Sequence, residues 1–328
     1  MKFTKILAAV AVSAAFIAPA SADTMGMANL AITGLAIMDS TGAAVLGNRI
    51  DITRENRTGT ANANYNGIDA VGVGSGNIFS VTEGGTVDVK YRCAGPACGD
   101  AHANANYNGG AAPLPLGTSK YENDATTHIL APSGNYALGD MFIAGSAIGV
   151  TGANGLTRAD ASVMSPDNAG SANATIGNSV TSTAIFTANT TISAKFVLGY
   201  DAYVAAFVNA GAGVTASAFG TISWALALTE TVGNVTSTIL QWTPPQLNNG
   251  ASSSDFAQNF SYSSSGSLLA GTGLSSNFVT LTAGRTYNLT VNQASNAVAS
   301  EIPEPGSMVL VALGLFALGA ASRRKAGK

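Results

Sequence analysis

The chain has 328 residues, of which 10% are charged, 46% are hydrophobic and 38 are glycine, with a formal net charge of −3. Six of the 15 basic residues (Lys2, Lys5, Arg323, Arg324, Lys325, Lys328) lie at the two extremities, whereas all 18 acids fall between Asp23 and Glu304, so the stretch between carries a net charge near −9. That balance offers no positive stripe to neutralise phosphates and excludes a nucleic-acid binder, while low charge made up by Ser, Thr, Asn and Gly is the composition of a β-rich, turn-rich chain rather than a disordered one.

Residues 1–22 read as a secretory signal peptide. Lys2 and Lys5 form a basic start, Ile6 to Ile17 an apolar core too short to span a bilayer comfortably, and Pro19 breaks the helix before an Ala-x-Ala pattern at Ala20 and Ala22. Cleavage is expected after Ala22, leaving Asp23 as the mature N-terminus. Removing both ends leaves about 280 residues, enough for one large or two modest domains.

Apolar residues then recur at strand-like intervals from Leu30 to Met38 and from Val45 to Thr53. The clearest early strand is Thr86 to Arg92, with Val87, Val89 and Tyr91 facing one way and Asp88, Lys90 and Arg92 the other, the period of two of a half-solvated antiparallel strand. Cys93 and Cys98 flank a Gly95-Pro96 turn. In an oxidising export route this even pair is expected to form a disulfide, pinning a loop for about 2 kcal/mol. Metal ligation would need two more ligands, and His102 alone is near. Residues 93–135, punctuated by Pro113, Pro115 and Pro132, read as a long excursion with a short helix over 121–130.

The second half alternates more regularly. Ile192, Ala194, Phe196, Leu198 and Tyr200 mark one strand, a corner is expected at Tyr200-Asp201-Ala202, and Tyr203 to Asn209 follows. Ile222, Trp224, Leu226 and Leu228 mark another, with further strands over 231–242 and 256–263. Residues 277–282 and 285–291 read as a hairpin turning at Ala283-Gly284. Trp224 is assigned to the core and Trp242, beside Pro244 and Pro245, to an edge. Evenly spaced strands with polar turns predict an all-β fold, an antiparallel β-sandwich or jelly-roll-like domain over 23–300 with a candidate internal boundary near 110–170.

At the C-terminal end, Pro303-Glu304-Pro305 is an extended strip, because proline fixes φ and lacks an amide donor. The uncharged run from Gly306 to Ser322 reaches about 25 Å as a helix, the short limit for a bilayer span. Arg323, Arg324 and Lys325 then form a membrane stop that stays cytoplasmic, placing everything before it outside. Pro-Glu-Pro, an apolar helix and a basic end together resemble the PEP-CTERM sorting signal of Gram-negative bacteria. The resemblance implies recognition of Pro303, Glu304 and Pro305 by exosortase, a membrane-embedded cysteine transpeptidase-like processing enzyme, and removal or exchange of the 301–328 segment. The exported stretch is also similar to the exosortase-dependent surface protein group, on Thr24 to Met27 and the Cys-x-x-x-x-Cys loop, which implies surface or matrix residence.

One heptad recurs identically, Ala61 to Gly67 and Ala103 to Gly109. Its alternating asparagines have the rhythm of a calcium loop, but such loops use Asp at most of these positions, and Asp69 and Asp100 are the nearest charges. The competing reading is an Asn-rich turn, so no metal or other cofactor is expected. Amide and ring chemistry makes Asn62, Asn64, Tyr65, Asn66, Asn104, Asn106, Tyr107 and Asn108 the candidate contacts for a sugar. His102 and His128 are the two histidines, without a Gly-x-Ser-x-Gly elbow or a His-Glu-x-x-His site, and the carboxylates are scattered. The expectation is therefore a non-enzymatic surface or matrix protein, structural or adhesive, whose partners are exopolysaccharide, the cell envelope or copies of itself. A carbohydrate-binding module is the alternative, with a polysaccharide-acting enzyme behind it.

Overall fold

The computed structural model describes residues 22–45, 47–69, 77–82, 86–98, 134–149, 152–164, 172–210, 214–253, 258–263 and 273–303. Nearly all of them are strand: β1 (Ala22–Asp39), β2 (Ile50–Tyr65), β3 (Ile68–Asp69), β4 (Asn77–Thr82), β5 (Val87–Ala94), β6 (Tyr136–Gly145), β7 (Ala153–Met164), β8 (Ala172–Ala188), β9 (Ile192–Ala210), β10 (Val214–Val232), β11 (Val235–Trp242), β12 (Asn249–Ser253), β13 (Gln258–Ser263), β14 (Leu274–Ser275), β15 (Val279–Leu281) and β16 (Thr286–Pro303). Among the described residues no helix is long and apolar enough to cross a membrane. The expected signal helix, the 121–130 helix and the transmembrane helix lie outside the described residues, save for Ala22 and 301–303, which are strand.

Two antiparallel sheets form the sandwich. The first has the order β13-β9-β1-β7-β6-β5, with β14 and β15 also on β9; the second has the order β11-β10-β16-β8-β2-β3, with β12 on β10 and β4 on β2. The first and last strands, β1 and β16, are thus interior strands of opposite sheets. β6 and β7, from within the 110–170 region, join the same sheet as β1 and β9.

Side-chain size is graded along the sandwich. Towards the start of β1 the facing residues are small: Gly26, Ala28, Ala159, Ala161, Ala218, Gly220, Ala297 and Ala299, the alanines all buried. A Cβ on Gly26 would run into the Phe219 and Val298 carbonyls, and one on Gly220 into the Met27 carbonyl, so the two backbones touch. Towards the other end Trp224, Leu226, Leu228, Phe186, Phe196 and Leu289 fill the space. Because inter-sheet spacing follows the side chains between the sheets, they close at one end and open at the other. Buried hydrogen bonds fix their relative position: the Gln293 amide on β16 donates to the Leu30 carbonyl on β1 at 2.7 Å, and the Ser295 hydroxyl donates to the Thr157 carbonyl on β7 at 3.0 Å.

Four expectations differ from the structure. β9 runs unbroken through Asp201 with no corner. The single strand read over 231–242 is broken by a turn at Gly233-Asn234, between β10 and β11. Arg92 is buried rather than solvated, because the β5–β6 register shifts between Val89 and Arg92 and turns it inward. Finally, Ala283-Gly284 is not a hairpin turn: β15 pairs with β9 in the first sheet and β16 with β8 and β10 in the second, so the turn carries the chain between sheets.

That crossing is locked in the manner of a tyrosine corner. The Thr282 amide donates to the Tyr287 hydroxyl at 2.6 Å, which donates to Glu230 at 2.8 Å, and Arg285 donates to the other Glu230 oxygen at 2.8 Å. The Arg285 guanidinium first, then the Tyr287 hydroxyl, hold Glu230 below its ordinary carboxylate value of 4.5. A folded pKa below the unfolded one means that the contribution is present above the ordinary value and is lost as pH falls through the depressed one. The melting temperatures of wild type and Glu230→Gln are therefore expected to differ near neutral pH and to converge as the buffer is taken below the ordinary carboxylate value of 4.5. A gap that stays constant over that range counts against the linkage.

Candidate functional site

The decisive geometry is where the chain enters and leaves the sandwich. Along β1, Asp23 pairs with Met164 and Asn209. At the end of β16, Glu301 pairs with Ala172 and Ala216, Ile302 with Thr215, and Pro303 with Val214. Gly26 lies against Val298 across the sheets, and Leu30 accepts from Gln293. β1 and β16 therefore run in opposite directions over one another, and residues 23 and 303 lie at the same, alanine-lined end. Pro303 closes the ladder because it has no amide to donate. Glu301 is fully buried, whereas Ile302 is 52% exposed.

The same end holds most of the other singled-out residues. The Cys93–Cys98 disulfide is formed, with Cα atoms 5.6 Å apart. Its loop folds back through the Cys98 amide on the Gly95 carbonyl (3.1 Å) and the Ala97 amide on the Asn135 carbonyl (3.1 Å). It packs on Met25, Met27, Tyr136 and Leu138, which makes the outer face of the first sheet a second buried apolar surface. Asn66 and Gly67 have φ of 53° and 76° and link β2 to β3 as the Tyr65–Ile68 pair closes, the left-handed pair that a two-residue hairpin turn requires. The Asn64 side chain accepts the Gly67 amide at 3.0 Å, so turn chemistry explains this copy of the heptad. Asn62 is exposed, but Tyr65 is only 5% exposed and packs in the core, so its ring face is not offered to a sugar. Asn104, Asn106, Tyr107, Asn108, His102, His128, Glu304, Pro305, Arg323, Arg324 and Lys325 lie outside the described residues.

Among the described residues no group of three His, Cys, Asp or Glu side chains could hold a metal. A cavity of about 20 Å³ lies between the sheets, lined by Ile32, Ile143, Val180, Trp224, Val291 and Gln293. A space that size holds about one water and no sugar. Sequence reading missed two buried ion pairs, Arg57–Glu55 at 3.0 Å and Arg158–Asp160 at 2.9 Å. The first carried a signal: Glu55 and Arg57 share the strand parity of Ala61, Ala63 and Tyr65, which face inward.

A family model, described as the PEP-CTERM protein-sorting motif, matches residues 301–325. The chain carries the PEP-CTERM sorting motif. The PEP-CTERM motif implies export, membrane anchoring before cleavage and processing by exosortase. Its match begins at Glu301, so its first three residues are also the last three of β16. No curated protein matches the chain. Among solved structures, an infectious bursal disease virus VP2 subviral particle aligns over 90% of this chain and 87% of that one at 12% identity, with a TM-score of 0.08 that carries no argument.

Proposed function

We propose that the exported sandwich is a non-enzymatic structural protein of the cell surface or extracellular matrix, which associates with copies of itself and through them with exopolysaccharide or the cell envelope. The observation that carries this reading is the edge strand β11. Among the described residues it pairs with β10 alone, and 231–238 are all exposed, Val235 at 69%. Leu240 and the edge-on contact of Trp242 with Trp224 at 5.2 Å hold the second half of the strand down, leaving Val235 to Thr238 free beyond it.

Edge strands in soluble proteins are usually guarded by a charge, a proline or a bulge. Here the guards are a bulge at Ile239 and the prolines after Trp242, and no charged residue occurs from Thr231 to Ser254. In a body of net charge near −9, this is a place where two copies approach without repulsion. Its open amides and carbonyls are satisfied by another strand.

The exported form is expected to show mass that rises with concentration in sedimentation, and Thr238→Lys, a change at an exposed position, to hold it monomeric with unchanged circular dichroism. A wild type monomeric at every concentration reached sinks the reading. Exopolysaccharide binding retained by monomeric Thr238→Lys would favour the carbohydrate-module alternative instead.

A further inference from the structure

The sorting segment begins inside the folded sheet, with no spacer. Glu301 is fully buried and Pro303 is still paired with Val214. The uncharged run starts at Gly306, so residues 302–305 alone join the folded body to it. Four fully extended residues reach at most about 14 Å. Asp23, where the signal peptide would end, leaves from the same end of the sandwich. A precursor anchored by its C-terminal segment therefore stands on the outer face of the membrane on its alanine-lined end, with the Asn66-Gly67 turn and the Cys93–Cys98 loop facing the headgroups.

We propose that this end is the surface presented to the membrane and its processing enzyme, and that exosortase gains the PEP-CTERM motif only when the last residues of β16 peel away from β8 and β10. This rests on the export reading above. In the closed state Pro303 is paired with Val214 of β10, and Glu301 two residues before it is held between Ala216 of β10 and Ala172 of β8, so an extended-chain binding cleft cannot surround this stretch. A strand terminus is where local opening costs least, and the proline at the last rung removes one hydrogen bond that would resist it. Burial of Glu301 sets the other limit: opening past it exposes the core.

The test uses the full chain in its own cells. Thr215 and Ile302 are direct cross-strand partners and both are exposed, so Thr215→Cys with Ile302→Cys ties the end of β16 to β10 without touching the core. Thr231 and Thr286 are an equivalent exposed pair at the opposite end of the same two strands and give the control lock. Mass spectrometry of the C-terminus is expected to find the first variant with Lys328 retained and the control processed like wild type. A Gly/Ser insert between Ile302 and Pro303 in the locked chain is expected to restore processing, which also shows that the locked body folds. Wild-type processing of the locked chain, or no rescue by the insert, overturns the proposal. A wild type that keeps Lys328 overturns instead the export reading on which it rests.

Discussion

Gly220→Val is expected to leave the exported domain without a stable fold. Gly220 sits in the middle of β10, and a Cβ there would overlap the Met27 carbonyl of β1 and crowd the Ala205 carbonyl of β9. These are backbone atoms of interior strands held on both sides, so no side-chain rotation relieves the overlap. Overfilling an ordinary core costs about 1–3 kcal/mol, because side chains can shift. Forcing two sheets apart also strips the contacts of Ala28, Ala206, Ala218 and Ala297 around the point of touch, and the loss is expected to reach about 4 kcal/mol or more. Gly233→Ala provides the contrast. Gly233 has φ of 60° in the β10–β11 turn and open space around it, so its cost is conformational, about 1–2 kcal/mol. Denaturant unfolding of the exported form separates the two: Gly233→Ala shifts the midpoint modestly, whereas Gly220→Val gives no cooperative transition. A Gly220→Val midpoint near that of wild type contradicts the close approach of the sheets.

Strands with one wet face were legible in the sequence, and those buried on both faces were not. Ile192 to Tyr200 and Ile222 to Leu228 alternate because every second residue meets water, and both lie on strands. The first half of β1 gave no such signal. Met25 and Met27 are buried on its outer face, and Gly26 and Ala28 meet the second sheet, so no polar parity remains. β7 has the same double burial, which is why it fell within a presumed boundary region. The strand read over 285–291 stops short of residues 292–300 of β16, where Gln293 and Ser295 are polar yet buried because they bond across the sheets.

Alternation also fixes which face is buried without naming the neighbouring strand, which explains the mistaken hairpin at Ala283-Gly284. The sorting motif was legible because its charge and apolar order lie in a contiguous segment. That residues 23 and 303 share one end of the sandwich needed the registers of β1, β7, β9, β10 and β16, and these are long-range.

Glu55→Leu is expected to destabilise the domain more than the double change Glu55→Leu with Arg57→Met. Both residues are inward-facing on β2, with side chains 5% and 1% exposed and an Arg57–Glu55 separation of 3.0 Å. The Ser146 hydroxyl, in the turn between β6 and β7, donates to the other Glu55 oxygen. Removing one member of a buried pair leaves the other as a charge without its counter-ion, at about 3–5 kcal/mol. Removing both exchanges two desolvated ions for apolar volume, which is often close to neutral. The double variant is therefore expected to recover more than half of the single-variant loss, the remainder reflecting Ser146 without its acceptor and the other contacts of Arg57. Urea midpoints of the three proteins, compared at one pH, decide it. Additive losses, with the double variant worse than Glu55→Leu, would mean that Arg57 stabilises the sandwich through contacts independent of Glu55, and that charge pairing is not why two ions are tolerated between these sheets.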